Sequence, residues 1–400
     1  MIPDLRNAYN AQFSEQAYQD MLDWIANEYN YRPKFHIAET PVFLPGPLLE
    51  KLQAASKDVM AVISAPGFAE RAAGALLPGQ QVPGRTPNPI FLQMDFGLCL
   101  AEDGSVIPQL IEAQGFPSLY FFQDLLSEAY RKFFQIPEEY TSLFNGMDKA
   151  AYRHLLAECV LGGEDPANVI LLEVDPTQQT TRIDFLVAAH HLGIAEVCIS
   201  DLILEGKELF YLRNGQKTKV KRIFSRVIFD ELLQRDDLKR QYNMIEEVDV
   251  SWAGHPDWFF MISKHTLPAF DSPYVPKSFF LSDLQAYPDD LDQYVLKPLY
   301  SFAGSGVVLD PTREELMAIK DPENYILQRK VQYADLIPTL DVPARAEVRL
   351  MYLWPHGTPA PILVNNLVRL SKGKMIGVRY NKGKTWVGGS IGYFSPEHGH

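Results

Sequence analysis

A chain of 400 residues exceeds what one ordinary hydrophobic core supports, so two or three domains are expected, and 46% apolar residues suffice to fill them. Lys and Arg total 37 against 50 Asp and Glu, a net charge of −13 without a dense basic run, which argues against nucleic acid as a partner. No run of about 18 uncharged apolar residues occurs and the first residues lack the basic-then-apolar pattern of a secretory signal, so a cytoplasmic protein without a membrane partner is expected.

In chain order, apolar residues recur at helical spacing over 14–29 and 47–63, predicting an N-terminal helical region over 1–84. A Pro/Gly-rich passage from Leu77 to Pro89 breaks that pattern. It leads into a predicted hairpin, 90–100 and 106–112, turned at Asp103-Gly104 and followed by helices at 119–134 and 149–161; this second part spans 85–165. The third, 166–235, opens with strand 169–174, helix 183–192 and strand 195–200. Short connections of this kind predict a parallel βαβ crossover in a small Rossmann-like layer, continued by strands at 208–212 and 222–229. The fourth, 236–400, is rich in short strands and carries Lys264, Lys297, Arg349 and Arg369. Cys99, Cys159 and Cys198 are too scattered for a zinc site and read as buried thiols. Nothing in the pattern reports the oligomeric state.

The most informative stretch is Tyr294-Val-Leu-Lys-Pro-Leu-Tyr-Ser-Phe-Ala-Gly-Ser-Gly-Val-Val308. An apolar strand delivers Lys297 into a turn of small residues, Ser301, Ala303, Gly304, Ser305 and Gly306, and then resumes as strand. Such a turn leaves backbone N–H groups open to an anion, as a phosphate grip requires. A flexible hairpin with a lysine on it has the same spelling. Neither the P-loop nor the dinucleotide fingerprint fits, since the loop opens into a strand.

Asp95 on the first hairpin strand, and Glu112 and Gln114 at the end of the second, put two carboxylates and an amide oxygen on adjacent strands, a donor set suited to Mg²⁺. Solvated strand residues are the plainer alternative. Lys264 and Lys297 would neutralise a triphosphate, and Arg349 and Arg369 would cover its terminal group. The 325–331 strand, with Gln328, Arg329 and Val331, offers an edge for adenine.

Lys297-Pro, the small loop, Gly304-x-Gly306-Val, a helix over 312–320, Tyr325-Ile-Leu-Gln328 and Glu347-Val-Arg-Leu350 together resemble the ATP-grasp fold. Because the acidic hairpin precedes the Rossmann-like part, the order resembles the circularly permuted branch, the glutathionylspermidine synthase-like proteins, from about Pro41 to Arg369. The resemblance implies an α/β (α+β) protein that binds ATP and Mg²⁺ and ligates a carboxylate, on a small molecule or peptide, to an amine or thiol through an acyl phosphate. It also implies roles: Lys264 and Lys297 on the nucleotide, 301–306 as the lid loop, Gln328 and its neighbours on adenine, Arg349 and Arg369 on the terminal phosphate, and Asp95, Glu112 and Gln114 on metal. Two departures stand out. Gln114 replaces the family's asparagine, and Gly115-Phe-Pro-Ser118 lacks its following aspartate, which puts glutathionylspermidine as product in doubt. An ATP-binding protein without turnover, an ATP-grasp kinase and a structural protein with scattered charges are the alternatives.

Overall fold

The computed structural model describes residues 1–300, 306–373, 376 and 380–399. Near the N-terminus, Ser14 accepts from the Ala17 amide and opens helix Glu15–Glu28, which buries Tyr18, Met21 and Ile25 along one stripe. Helix Gly46–Ile63 starts at Pro45-Gly46-Pro47 and buries Leu48, Leu49, Leu52, Ala55, Val59 and Ile63. Helix Pro3–Gln12 was not expected from the sequence, and only Arg6 and Tyr9 of it are buried.

The predicted hairpin forms as Phe91–Leu100 and Val106–Gln114, with Gly104 at φ +79° in its turn. It is one edge of a five-stranded antiparallel sheet whose order continues through Arg345–Leu353, Ile362–Ser371 and Gly388–Ser390. Leu92, Met94, Phe96 and Leu98 alternate with Gln93, Asp95, Gly97 and Cys99, and all eight are buried. The apolar set packs with Leu110, Ala113, Val348, Leu350, Val368 and Leu370 in the main core, each side chain larger than alanine contributing about 1.5–3 kcal/mol if fully removed from water. The alternate set forms a second, polar face.

Register on that face is set by a bulge. Asp95 pairs with Glu112 while Phe96 pairs with Leu110, so Ile111 is the extra residue. Without it the one-residue slip would present Ile111 to Asp95 and turn Glu112 into the core.

The βαβ crossover is parallel, with strands in the order Ser251–Ala253, Arg222–Ser225, Val169–Glu173, Ala195–Cys198 and helix Arg182–Leu192 between the last two in sequence. One expectation is corrected: Glu208–Arg213 does not join this sheet. It pairs antiparallel with Ile203–Glu205 and Gln216–Val220. Its alternation, with Leu209 and Tyr211 buried and Leu212 exposed, is that of a sheet covered on one face, whereas Val169–Glu173 is buried throughout.

A fourth, smaller antiparallel sheet runs Ser278–Phe280, Tyr325–Arg329, Tyr294–Pro298, Val308–Leu309. Leu281, Tyr294, Leu296, Leu316 and Leu327 give it a core of its own beneath helix Arg313–Met317, which Thr312 and Glu315 cap reciprocally. Among the described residues no helix is long and apolar enough to cross a membrane.

Candidate active site

The polar face of the large sheet is a network of ions. Arg349 lies directly opposite Asp95 and grips it twice, Nε to Oδ1 at 2.5 Å and Nη2 to Oδ2 at 2.6 Å, while Nη1 donates to Gln93 Oε1 at 2.9 Å. Gln93 in turn donates to the Ser118 carbonyl at 2.6 Å. Arg369, opposite Glu347, donates Nη2 to both Asp95 and Glu347. Glu347 Oε2 also accepts from the Tyr333 hydroxyl at 2.9 Å. Burial alone would raise the Asp95 carboxyl, but the Arg349 and Arg369 guanidiniums outweigh it and hold it below the usual carboxylate range. Glu347 goes the other way: burial, with Asp95 and Glu112 nearby, pushes it up against the pull of Arg369.

Lys297 arrives from the small sheet. Its Nζ donates to the carbonyl of the bulged Ile111 at 3.4 Å, so the extra residue that aligns Glu112 with Asp95 also supplies an acceptor off the ladder. Burial, joined by the charge of Lys264 and opposed by Glu112 and Glu347, lowers the Lys297 ammonium to about 8. Lys264, buried on a short 3-10 helix capped by Ser263, therefore belongs to the same cluster. Gln328 is 1% exposed, and its Nε2 has no hydrogen-bond partner among the described residues. It stands two residues along the strand from Ile326, the cross-strand partner of Lys297, and so shares that lysine's face.

Lys264, Lys297, Asp95, Glu112, Arg349 and Arg369 thus come together, and Gln114 donates its amide to Glu112 beside them. Ser301, Ala303, Gly304 and Ser305 lie outside the described residues. Gly306 follows them at φ +69°, where a Cβ would come 2.9 Å from Pro298 Cγ. Three roles change. Arg349 has each nitrogen engaged and is 5% exposed, which leaves Arg369, its side chain 34% exposed and its buried Nε unpartnered among the described residues, as the more accessible of the two guanidiniums. Asp95 is not a free ligand, because both its oxygens accept from guanidiniums. The Tyr325–Arg329 strand is no open edge, since strands flank it on both sides. Strand alternation turns the exposed Arg329 toward Tyr294 and Asp290, away from Lys297. Val331 lies past the strand end, packed over Gly97.

Sequence reasoning missed Gln93, Glu347 and Tyr333. The i, i+2 spacing of Glu347 and Arg349, and of Gln93 and Asp95, already put each pair on one face of a strand. No local signal marks Tyr333, whose partner is fourteen residues away.

A second set of polar groups adjoins this face at the carboxyl ends of the parallel strands. The chain goes from Val169–Glu173 to Ala195–Cys198 on one side and later returns to Arg222–Ser225 on the other, so the strand ends at Glu173 and Ser225 flank a topological switch point. There Arg226 pairs with Asp184 at 2.9 Å, and its guanidinium stacks on Phe116 and Phe185. Asp184 also accepts from the Leu119, Phe121 and Phe122 amides. Arg226 Nε and Ser225 Oγ are buried without partners among the described residues, and burial pushes the Glu173 carboxyl to about 8. Gly115 links the two regions; a Cβ there would lie 2.5 Å from the Trp258 carbonyl oxygen. Gly115→Ala is expected to cost about 1–3 kcal/mol, read as a lower midpoint in urea, because backbone cannot give way as a side chain does. An unchanged midpoint would contradict that packing.

No protein-family profile matches the sequence, and no curated protein matches it. Among solved structures it is similar to a glutathione synthetase-like effector from Globodera pallida in its apo form, at 12% identity over 95% of this chain and 96% of that one, with a TM-score of 0.60. At that identity the likeness speaks for the fold alone: an α+β fold of the glutathione synthetase, ATP-grasp type.

Proposed function

We propose that the chain is an ATP-dependent ligase that joins a carboxylate to an amine or a thiol through an acyl phosphate. One observation carries the reading: Lys297, borne by the small sheet, meets the bulge beside Glu112 on the large one, setting the cations of one layer against the carboxylates of the other. The acidic hairpin comes before the parallel sheet in the chain yet pairs with Arg345–Leu353, an order that supports the circularly permuted branch. On this reading 1–84 is a helical support, 166–235 the preceding domain, and 85–165 and 236–400 make the catalytic part together. A cytoplasmic setting, where ATP and Mg²⁺ are abundant, goes with it.

The donor set fits Mg²⁺. Glu112 is the cross-strand partner of Asp95, and Gln114 donates its N–H to Glu112 while keeping its amide oxygen for a hard cation. Among the described residues no group of three or more His, Cys, Asp and Glu is arranged to hold a metal, so Glu112 and Gln114 would leave the remaining positions to water and phosphate, with Asp95 kept on its guanidiniums. ATP supplies the phosphoryl group and Mg²⁺ bridges and neutralises its oxygens. The chain's part is positioning and charge. Lys297 and Lys264 would hold the phosphates, Gln328 would give its unpartnered N–H to the base, and Arg369 would turn to the terminal phosphate. At the switch point Arg226 Nε, Ser225 Oγ and a protonated Glu173 are donors awaiting acceptors, which suits a carboxylate substrate.

A second reading, ATP binding without turnover, is favoured by the neutralised state of Asp95, both of whose oxygens are held by arginines. Incubation with ATP, Mg²⁺, hydroxylamine and a panel of small carboxylic acids and peptides separates the two. Hydroxamate appearing with ADP supports the ligase; ATP held tightly with no ADP above blank across the panel supports binding alone.

A further inference from the structure

On leaving the small sheet at Arg329, the chain does not go straight to its next strand in the large sheet. It first runs beside the far end of Phe91–Leu100: Tyr333 bridges Cys99 and the Ala334 amide donates to Leu98 O at 2.9 Å, just beyond the place where Arg345–Leu353 stops pairing at Glu347 and Gly97. Tyr333 thereby extends the line of Glu347 and Arg349 on the polar face. Its ring occupies the room that Gly97 leaves open, where a Cβ would meet Tyr333 Cε1 at 2.7 Å and Val331 Cγ1 at 2.9 Å. Its hydroxyl points back to Glu347, whose other oxygen accepts from Arg369. Burial and the Glu347 charge keep the Tyr333 phenol protonated well beyond neutral pH, so it stays a donor.

We propose that Tyr333 is a positioning residue for the terminal phosphate, acting through Glu347 to fix the direction in which Arg369 presents its guanidinium. This rests on the ligase reading above and specifies which groups make it discriminate ATP from ADP. Arg349 needs no such help, since Asp95 and Gln93 occupy all three of its nitrogens. Arg369 hangs on one nitrogen shared between two carboxylates, with Nε unpartnered among the described residues. If the hydroxyl that orders Glu347 is removed, the guanidinium loses its fixed direction, whereas the ring that fills the space over Gly97 remains. The segment that carries Tyr333 is also the one by which the nucleotide-side sheet is tied to the polar face, so the hydroxyl links the two halves of the site.

The test is a double-mutant cycle on nucleotide affinity, measured by calorimetry with Mg²⁺ and either ATP or ADP, on wild type, Tyr333→Phe, Arg369→Ala and the double variant. Tyr333→Phe is expected to weaken ATP about 5- to 10-fold and ADP less than about 2-fold, with an unchanged melting midpoint because the ring stays. In the Arg369→Ala background the same change is expected to have less than about a 2-fold effect on ATP. Equal weakening of ATP and ADP, an effect that persists without Arg369, or ATP affinity equal to wild type would each overturn the proposal while leaving the nucleotide site intact. Wild-type protein that binds neither nucleotide would overturn the ligase reading and this role with it.

Discussion

Asp95→Ala is expected to be the most destabilising single change on the polar face, lowering stability by about 3–5 kcal/mol. The reason is the charge it strands. Arg349 and Arg369 would lose a shared carboxylate that is 1% exposed, and an uncompensated buried guanidinium costs far more than the intact pair contributes. Asp95→Asn, which keeps one oxygen acceptor, is expected to cost less. Glu112→Ala serves as the control, because no guanidinium depends on Glu112 among the described contacts, and it is expected to stay within about 1 kcal/mol while losing Mg²⁺-dependent nucleotide binding. The pH dependence has a definite sign. Because the Asp95 carboxyl in the fold lies below its free value, its contribution is present above the ordinary carboxylate range and is lost as the pH falls through the depressed value. Urea unfolding of the three variants between pH 3 and pH 7 reads both effects. An Asp95→Ala midpoint equal to that of wild type would show that the arginines do not rely on Asp95.

Lys297→Met is expected to weaken ATP by about 10- to 100-fold, the equivalent of one charge-assisted contact of roughly 1.5–3 kcal/mol. It should also abolish a pH limb. Burial first, and Lys264 second, bring the Lys297 ammonium to about 8, so wild-type affinity for ATP should fall as the pH rises past about 8 and the phosphate loses its cation, whereas the variant should be flat there. Unliganded stability moves the opposite way. With the folded value near 8 and the unfolded lysine near 10.5, the unfolded chain holds more protons between those limits, so stability rises with pH across that window in wild type but not in Lys297→Met. Calorimetric affinities and melting midpoints from pH 7 to pH 10 measure the two trends on the same samples. An ATP affinity independent of pH through 8 to 10 in wild type would remove Lys297 from the phosphates.

The elements built on strong local periodicity were legible from the residues: the 47–63 helix, the Asp-Gly hairpin and the 169–198 crossover occupy nearly the predicted positions. Less legible was anything decided by pairing partners. Glu208–Arg213 reads as one more strand of the parallel unit, but its one-sided burial belongs to a separate antiparallel sheet, and a short strand does not name its neighbour. The bulge at Ile111 has no spelling of its own, yet it decides whether Glu112 or Ile111 faces Asp95. Charge type was readable and charge role was not. Arg349 and Arg369 both look like phosphate ligands in sequence; the ladder sets Arg349 opposite Asp95 and so binds it into the sheet, leaving Arg369 the more accessible of the two. Tyr333 enters only because Gly97, far away in sequence, lacks a side chain.

The most direct test of the account is calorimetric titration of ATP into the wild-type protein with and without Mg²⁺, beside Lys297→Met and Glu112→Ala. Saturable binding that needs Mg²⁺ and is weakened at least about 10-fold in each variant is the predicted result, since it requires the lysine of the small sheet and the carboxylate of the large one to serve one ligand. Binding that is the same in all three proteins, or absent from wild type at millimolar ATP, would contradict it.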